Sequence, residues 1–291
     1  MNKVKQKPIV GCMRWGTWGA NFTTDQYQKI ITQCVEIGLD EFDHADIYGD
    51  YTTEDEFGAV LKDNSSLRAK MKLITKCGIK MISPNKPLHY IKSYDTSRNH
   101  LRQSVEASLK HFHTDYIDTL LIHRPDILMN VHEIAETINN LKQEGKIRSF
   151  GVSNFTTNQV ELLNTYIKVE QHQVEISTTN LNTFHNGVLE QAQLKKIAIQ
   201  AWSPLGNGLF DIKTTTHKRI LEVAEQISFV HNTSVSSILL AFLYIHPASI
   251  IPVLGTTKFE RLVEAKEAMK INLSRTEFYQ LWTAATGEEV A

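Results

Sequence analysis

Eight short, β-rich apolar runs alternate with amphipathic segments of helical period along the whole chain, and few folds accommodate that rhythm. The runs are PIVGCM, DEFD, MKLITK, YIDTLLIH, IRSFGVS, KVEQHQVEI, AIQAWSP and SIIPVLG. Helix signals stand between them. TTDQYQKIITQCVEIG opens on a threonine cap at Thr23 or Thr24 and stops at Gly38, and VHEIAETINNLKQEG ends at Gly145. Strands separated by helices imply a parallel sheet. Eight such units in 291 residues predict a fold of the α/β class, a (β/α)8 TIM barrel. A doubly wound open sheet is the alternative. No low-complexity linker or shift in composition breaks the chain, so residues 1–291 are expected to form one domain.

In such a barrel, chemistry belongs at the C-terminal ends of the strands. Polar residues gather there: Asp43 after the second run with Tyr48 in its loop, Lys76 after the third and His123 after the fourth. Ser153 and Asn154 close the fifth, Gln173 lies near the end of the sixth, Trp202 and Ser203 close the seventh, and Gly255 and Thr257 follow the eighth. A tyrosine hydroxyl ordinarily ionises near ~10, too high for easy proton exchange at neutral pH. A nearby ammonium favours its phenolate, and a carboxylate beside that ammonium holds it in place. A histidine can orient a carbonyl. Together these groups predict a tuned general acid at a carbonyl oxygen, with a hydride from a nicotinamide as the fitting attacker.

The GLDEFDHADIYGD segment, the lysine in LITKCG, the histidine in LLIHRPD and the run GKIRSFGVSNF occur in order, each in its strand context. In these motifs the chain resembles the aldo-keto reductase superfamily over nearly its whole length, particularly a bacterial oxidoreductase branch with HADIYG and IHRPD. The resemblance implies a catalytic tetrad of Asp43, Tyr48, Lys76 and His123, and NADPH/NADP+ as cofactor. It implies that Ser153, Asn154 and Gln173 hold the nicotinamide carboxamide, with Asp43 beside it and Met13 and Arg14 flanking the ring. Trp202 stands where most members place a stacking tyrosine. Ser203, Pro204, Leu205, Gly206 and Gly208 correspond to the loop that straps the pyrophosphate. Gly255, Thr257 and Arg261 correspond to the adenosine end, with Arg261 near the 2′-phosphate. Glu264 and Ala265 depart from the amide-bearing pair that many members set against adenine.

A formal net charge of −1 gives no electrostatic case for nucleic acid or an anionic membrane. No apolar stretch reaches transmembrane length, and the start lacks the apolar run of a signal peptide. Three widely spaced cysteines, Cys12, Cys34 and Cys77, read as reduced thiols of a cytoplasmic protein. The expected partner is a small-molecule carbonyl substrate; the oligomeric state is not legible. No metal is expected. His44 should point away from Asp43 along the strand, while Asp46 and Asp50 shape the loop. His111 and His113 sit before the fourth strand, at the end of a barrel remote from its chemistry. No GxGxxG follows a strand, which argues against a Rossmann domain. Two other readings stay open: a metal-dependent hydrolase on the same barrel, and a non-catalytic nicotinamide-binding subunit.

Overall fold

The computed structural model describes residues 5–62 and 64–291. Its eight principal strands are β1 (Ile9–Gly11), β2 (Glu41–Asp43), β3 (Lys72–Cys77), β4 (Ile117–Ile122), β5 (Ile147–Ser153), β6 (Gln171–Glu175), β7 (Ala198–Trp202) and β8 (Ile251–Leu254). They follow one another in chain order around a closed barrel. The registers are parallel, as in Asp43 against Ile74 and Ser153 against Gln173. Closure removes the open-sheet alternative. The chain divides into two compact units.

The first unit, Ile9–Gln173 with Gly255–Phe259, carries β1 to β5 and the start of β6. Its first helix begins at the threonine cap expected from the sequence, and others are capped in the same way. Thr23 and Gln26 form a reciprocal capping box ahead of helix Thr24–Glu36, Ser97 caps Arg98–His111, and Thr156 pairs with Gln159 ahead of Thr157–Asn164. Trp15 is fully buried among Tyr27, Phe42 and Phe57, with ring centres 5.7, 6.2 and 6.3 Å away. Helix Thr53–Leu61 presses so closely on Arg98–His111 that a Cβ on Gly58 would lie 1.8 Å from the His111 carbonyl oxygen. The buried Glu54 of that helix accepts hydrogen bonds from Thr75 Oγ1 on β3 and from Ser108 Oγ, the latter at 2.9 and 3.0 Å. Two elements carry no pattern that the sequence announces. One is an antiparallel pair of two-residue strands, Ile79–Lys80 with Ser93–Tyr94; the other is the single turn of helix Ser65–Arg68.

The second unit comprises residues 5–8, 174–254 and 260–291. Helix Val235–Tyr244 is buried on every face from Ser237 onward, as its continuous apolar run requires. Phe242 stacks on Phe278 of helix Arg275–Thr286 at 4.6 Å and 8°. Among the described residues no single helix is long and apolar enough to cross a membrane.

Candidate active site

β2 ends on Asp43, β3 reaches Lys76 one residue before its end, and His123 directly follows β4. Parallel registry sets these strand ends side by side, so three chemically different side chains reach one place without any loop having to be ordered for them. Lys76 Nζ donates to Asp43 Oδ2 at 2.7 Å, to the His44 carbonyl at 2.8 Å and to Tyr48 Oη at 3.0 Å. An ammonium has three protons, and all three are used. Asp43 Oδ1 accepts from Gln173 Nε2 at 2.8 Å, so both carboxylate oxygens are engaged. The His123 ring stands edge-on to Tyr48 with centres 6.0 Å apart, and its buried Nδ1 has no hydrogen-bond partner. Asp43, Lys76 and Gln173 are almost completely buried, and Tyr48 and His123 nearly so.

Burial sets the electrostatics first. It raises the Tyr48 phenol above its ordinary value; the Lys76 charge works against that rise and the Asp43 charge with it, and the net direction is upward. The ammonium therefore moderates the phenol without bringing it below its ordinary range, which corrects the expectation of a lowered phenol. Burial by itself would lower Lys76, but the Asp43 and Tyr48 oxygens outweigh it and the lysine stays firmly charged. Burial, then the charges of Lys76, Arg124 and Lys92, holds His123 well below its ordinary value, so its ring is neutral at neutral pH.

Other residues named from the sequence fall as follows. Ser153 is buried at the end of β5, facing Gln173 in register, and its Oγ accepts from Asn154 Nδ2 at 2.7 Å. Asn154 is left-handed, with φ of 60°, a conformation asparagine tolerates. A buried hydroxyl and two carboxamides at neighbouring strand ends are the donors and acceptors that an amide-bearing ring needs. Met13 and Arg14 are exposed after β1, and a Cβ on Gly255 would meet nothing within 4 Å. Thr257 is half-buried. In the second unit, Trp202 ends β7 half-buried and Ser203 follows with φ of 49°. Pro204 is buried, Leu205 is half-buried, and Gly206 and Gly208 are left-handed at 76° and 73°. A Cβ on Gly206 would lie 2.6 Å from Thr179 Oγ1, so the bend excludes larger residues. Arg261 is exposed on helix Phe259–Glu267, where Glu264 accepts from Ser234 Oγ and Ala265 is packed inside.

Trp18 was not anticipated. Its ring centre lies 6.1 Å from that of Tyr48, and its Nε1 donates to Asp50 Oδ2 at 3.3 Å. Its place in the loop after β1 was the available signal. His44 does point away: its ring packs edge-on against Phe57 and Phe112 at 4.5 and 5.0 Å, both nitrogens unpartnered. His111 faces Glu54 at 3.5 Å, and no group of metal-binding side chains occurs among the described residues.

These buried histidines make stability fall in acid. Burial holds His44 down at about 3 and His172 at about 4, and His123 is also well below its ordinary value. The unfolded chain protonates all three near ~6.5. It therefore binds more protons than the native state below that pH, and stability drops. Asp46 and Glu41, raised chiefly by burial, act in the opposite sense because the native state takes up their protons first. His100, also lowered chiefly by burial, adds to the histidine side, and each proton of net excess on the unfolded chain costs about 1.4 kcal/mol per pH unit between roughly pH 6 and pH 4. Urea midpoints measured across that range should fall towards pH 4; a flat profile would contradict a net histidine excess.

The chain as a whole is similar to known proteins. A model described as the Aldo/keto reductase family matches residues 9–285. Among curated proteins, the chain is 39% identical over 286 residues to the uncharacterized oxidoreductase YcsN of Bacillus subtilis, covering 97% of this chain and 95% of that protein. It is 36% identical to a 6-dehydroglucose reductase of Agrobacterium fabrum, covering 95% of each. The fold matches a thermostable aldo-keto reductase, Tm1743, solved with the inhibitor epalrestat, at a TM-score of 0.78, 24% identity and coverage of 95% and 94%. It also matches a Klebsiella pneumoniae aldo/keto reductase solved with NADP and acetate, at 0.74, 24% identity and coverage of 94% and 89%.

Proposed function

Because the chain belongs to the aldo/keto reductase family, whose members are oxidoreductases, we propose that it reduces aldehyde or ketone carbonyls to alcohols with NADPH, using Tyr48 as the proton donor. We take residues 1–291 as one barrel domain. The observation that carries the reading is the saturated ammonium of Lys76, whose three protons go to Asp43, the His44 carbonyl and Tyr48 Oη. Tyr48 Oη accepts from Lys76, so its own proton is left for an oxygen in the site. When bound, NADPH would supply the hydride. Tyr48 delivers the proton to the developing alkoxide oxygen, and the fixed charge of Lys76 stabilises the phenolate left behind. Asp43 keeps that charge in place, and Gln173 keeps Asp43 in place. His123, neutral, can donate one ring hydrogen bond to the carbonyl and turn it towards Tyr48. Trp18 forms a wall beside the tyrosine.

The donor set at Ser153, Asn154 and Gln173 fits a nicotinamide carboxamide. The resemblance assigns Met13, Arg14, Trp202, Ser203–Gly206, Gly208, Gly255 and Thr257 to the same cofactor, and Arg261 to its 2′-phosphate. Arg261→Ala should weaken NADPH by about 10- to 100-fold in Kd, the scale of a hydrogen bond to a charged group, and leave NADH nearly unchanged. Fluorescence titration of both cofactors checks this; equal losses would remove Arg261 from phosphate recognition.

The function itself is tested by following NADPH oxidation over a panel of aldehydes, ketones and oxidised sugars, the last suggested by the 6-dehydroglucose reductase relative. Turnover that needs a carbonyl supports the proposal. Tight NADPH binding with no turnover on any member would favour a non-catalytic binding subunit.

A further inference from the structure

The backbone directly after Tyr48 takes a form that its residues do not favour. Gly49, Asp50 and Tyr51 stand in succession at φ of 58°, 58° and 71°. Glycine adopts that region freely; aspartate and tyrosine do so only where their surroundings impose it. Gly49 has no slack either, since a Cβ there would lie 2.4 Å from Thr53 Oγ1.

Most of the ties that hold this turn come from residues 81–89, the segment after the strand Ile79–Lys80. The Asp50 carbonyl accepts from Asn85 Nδ2 at 2.9 Å and from Ser83 Oγ at 3.4 Å. Tyr51 Oη accepts from the Met81 backbone N–H at 2.8 Å and lies 3.4 Å from His89 Nδ1, which itself sits 3.1 Å from the Met81 carbonyl. Lys86 Nζ stands 5.2 Å from the centre of the Tyr51 ring. Tyr51 and Met81 also pack against the buried cluster of Ala45, Ile47, Tyr48 and Ile79. Trp18 holds the Asp50 carboxylate from the other side.

We propose that Tyr51 is a positioning residue for Tyr48: its hydroxyl, anchored on Met81 and His89, holds the left-handed turn and so keeps the Tyr48 hydroxyl in place beside Lys76. The inference rests on the reading of Tyr48 as proton donor. A proton transfer is sensitive to misplacement of its donor by even an ångström, so a loosened turn appears in the chemical step before it appears in binding.

The test is single-turnover hydride transfer from NADPH to a carbonyl in the full-length enzyme, with NADPH affinity measured alongside. Tyr51→Phe keeps the ring and deletes the anchor. It should slow the step about five- to tenfold, the rate equivalent of one lost hydrogen bond, and leave the NADPH Kd within about twofold. Asn85→Ala, at an exposed residue, should slow it about two- to fivefold, and it carries the test should Tyr51→Phe not fold. In a Tyr48→Phe background neither substitution should slow the step further, since no hydroxyl remains to be placed. An unchanged rate in both single variants, with Tyr48→Phe strongly impaired, would overturn the positioning role and leave the proton donor standing. The same fractional loss with and without the Tyr48 hydroxyl would reduce Tyr51 to a structural residue. A parental rate in Tyr48→Phe itself would overturn both.

Discussion

Tyr48→Phe should bind NADPH as the parent does and reduce carbonyls at least ~10²-fold more slowly, the usual scale for a positioned general acid. The ring stays, and with it the packing against Ala45, Ile47 and Ile79. Only the hydroxyl is lost. The residues proposed to hold the nicotinamide, Ser153, Asn154, Gln173 and Trp202, are untouched. Single-turnover absorbance and a binding titration on the same protein separate the two effects. Near-parental reduction would disprove the assignment, and lost cofactor binding would make Tyr48 a structural residue.

Lys76→Met should cost both activity and stability. It removes the charge that moderates the Tyr48 phenol, which burial has already raised, so the alkaline limb of the reduction profile should move to higher pH while the rate falls by a similar ~10²-fold. It also leaves Asp43 buried with only Gln173 as partner, and breaking a buried ion pair costs about 3–5 kcal/mol. Asp43→Asn in the same protein removes the orphaned charge. That double variant should regain most of the stability and none of the activity. Recovery of activity with stability would show that Lys76 acts on the fold alone.

What the sequence disclosed and what it hid divide along physical lines. Barrel strands and helix starts are local matters of period and capping, and Thr23 caps its helix as the sequence predicts, with Ser97, Thr156 and Ser274 capping others in the same way. Asp43, Lys76 and His123 were legible because a barrel strand's end names its own place. Trp18 was not, since its approach to Tyr48 depends on how a loop folds back. The left-handed Asp50 and Tyr51 were hidden because neither residue type signals that conformation; contacts distant in sequence, most of them from residues 81–89 and one from Trp18, hold it. The strand pair Ile79–Lys80 and Ser93–Tyr94 is too short to leave a period. The phenol's upward shift follows from burial, which pattern alone does not measure.

The central claim is that hydride reaches a carbonyl carbon while Tyr48 gives the oxygen its proton. NADPH deuterated at the transferred position, incubated with a carbonyl substrate in ordinary water, tests it by mass spectrometry of the product. The account predicts an alcohol with a single deuterium on the former carbonyl carbon, formed at least ~10²-fold more slowly by Tyr48→Phe. An alcohol without the label, or a labelled alcohol formed as quickly without the Tyr48 hydroxyl, would contradict it.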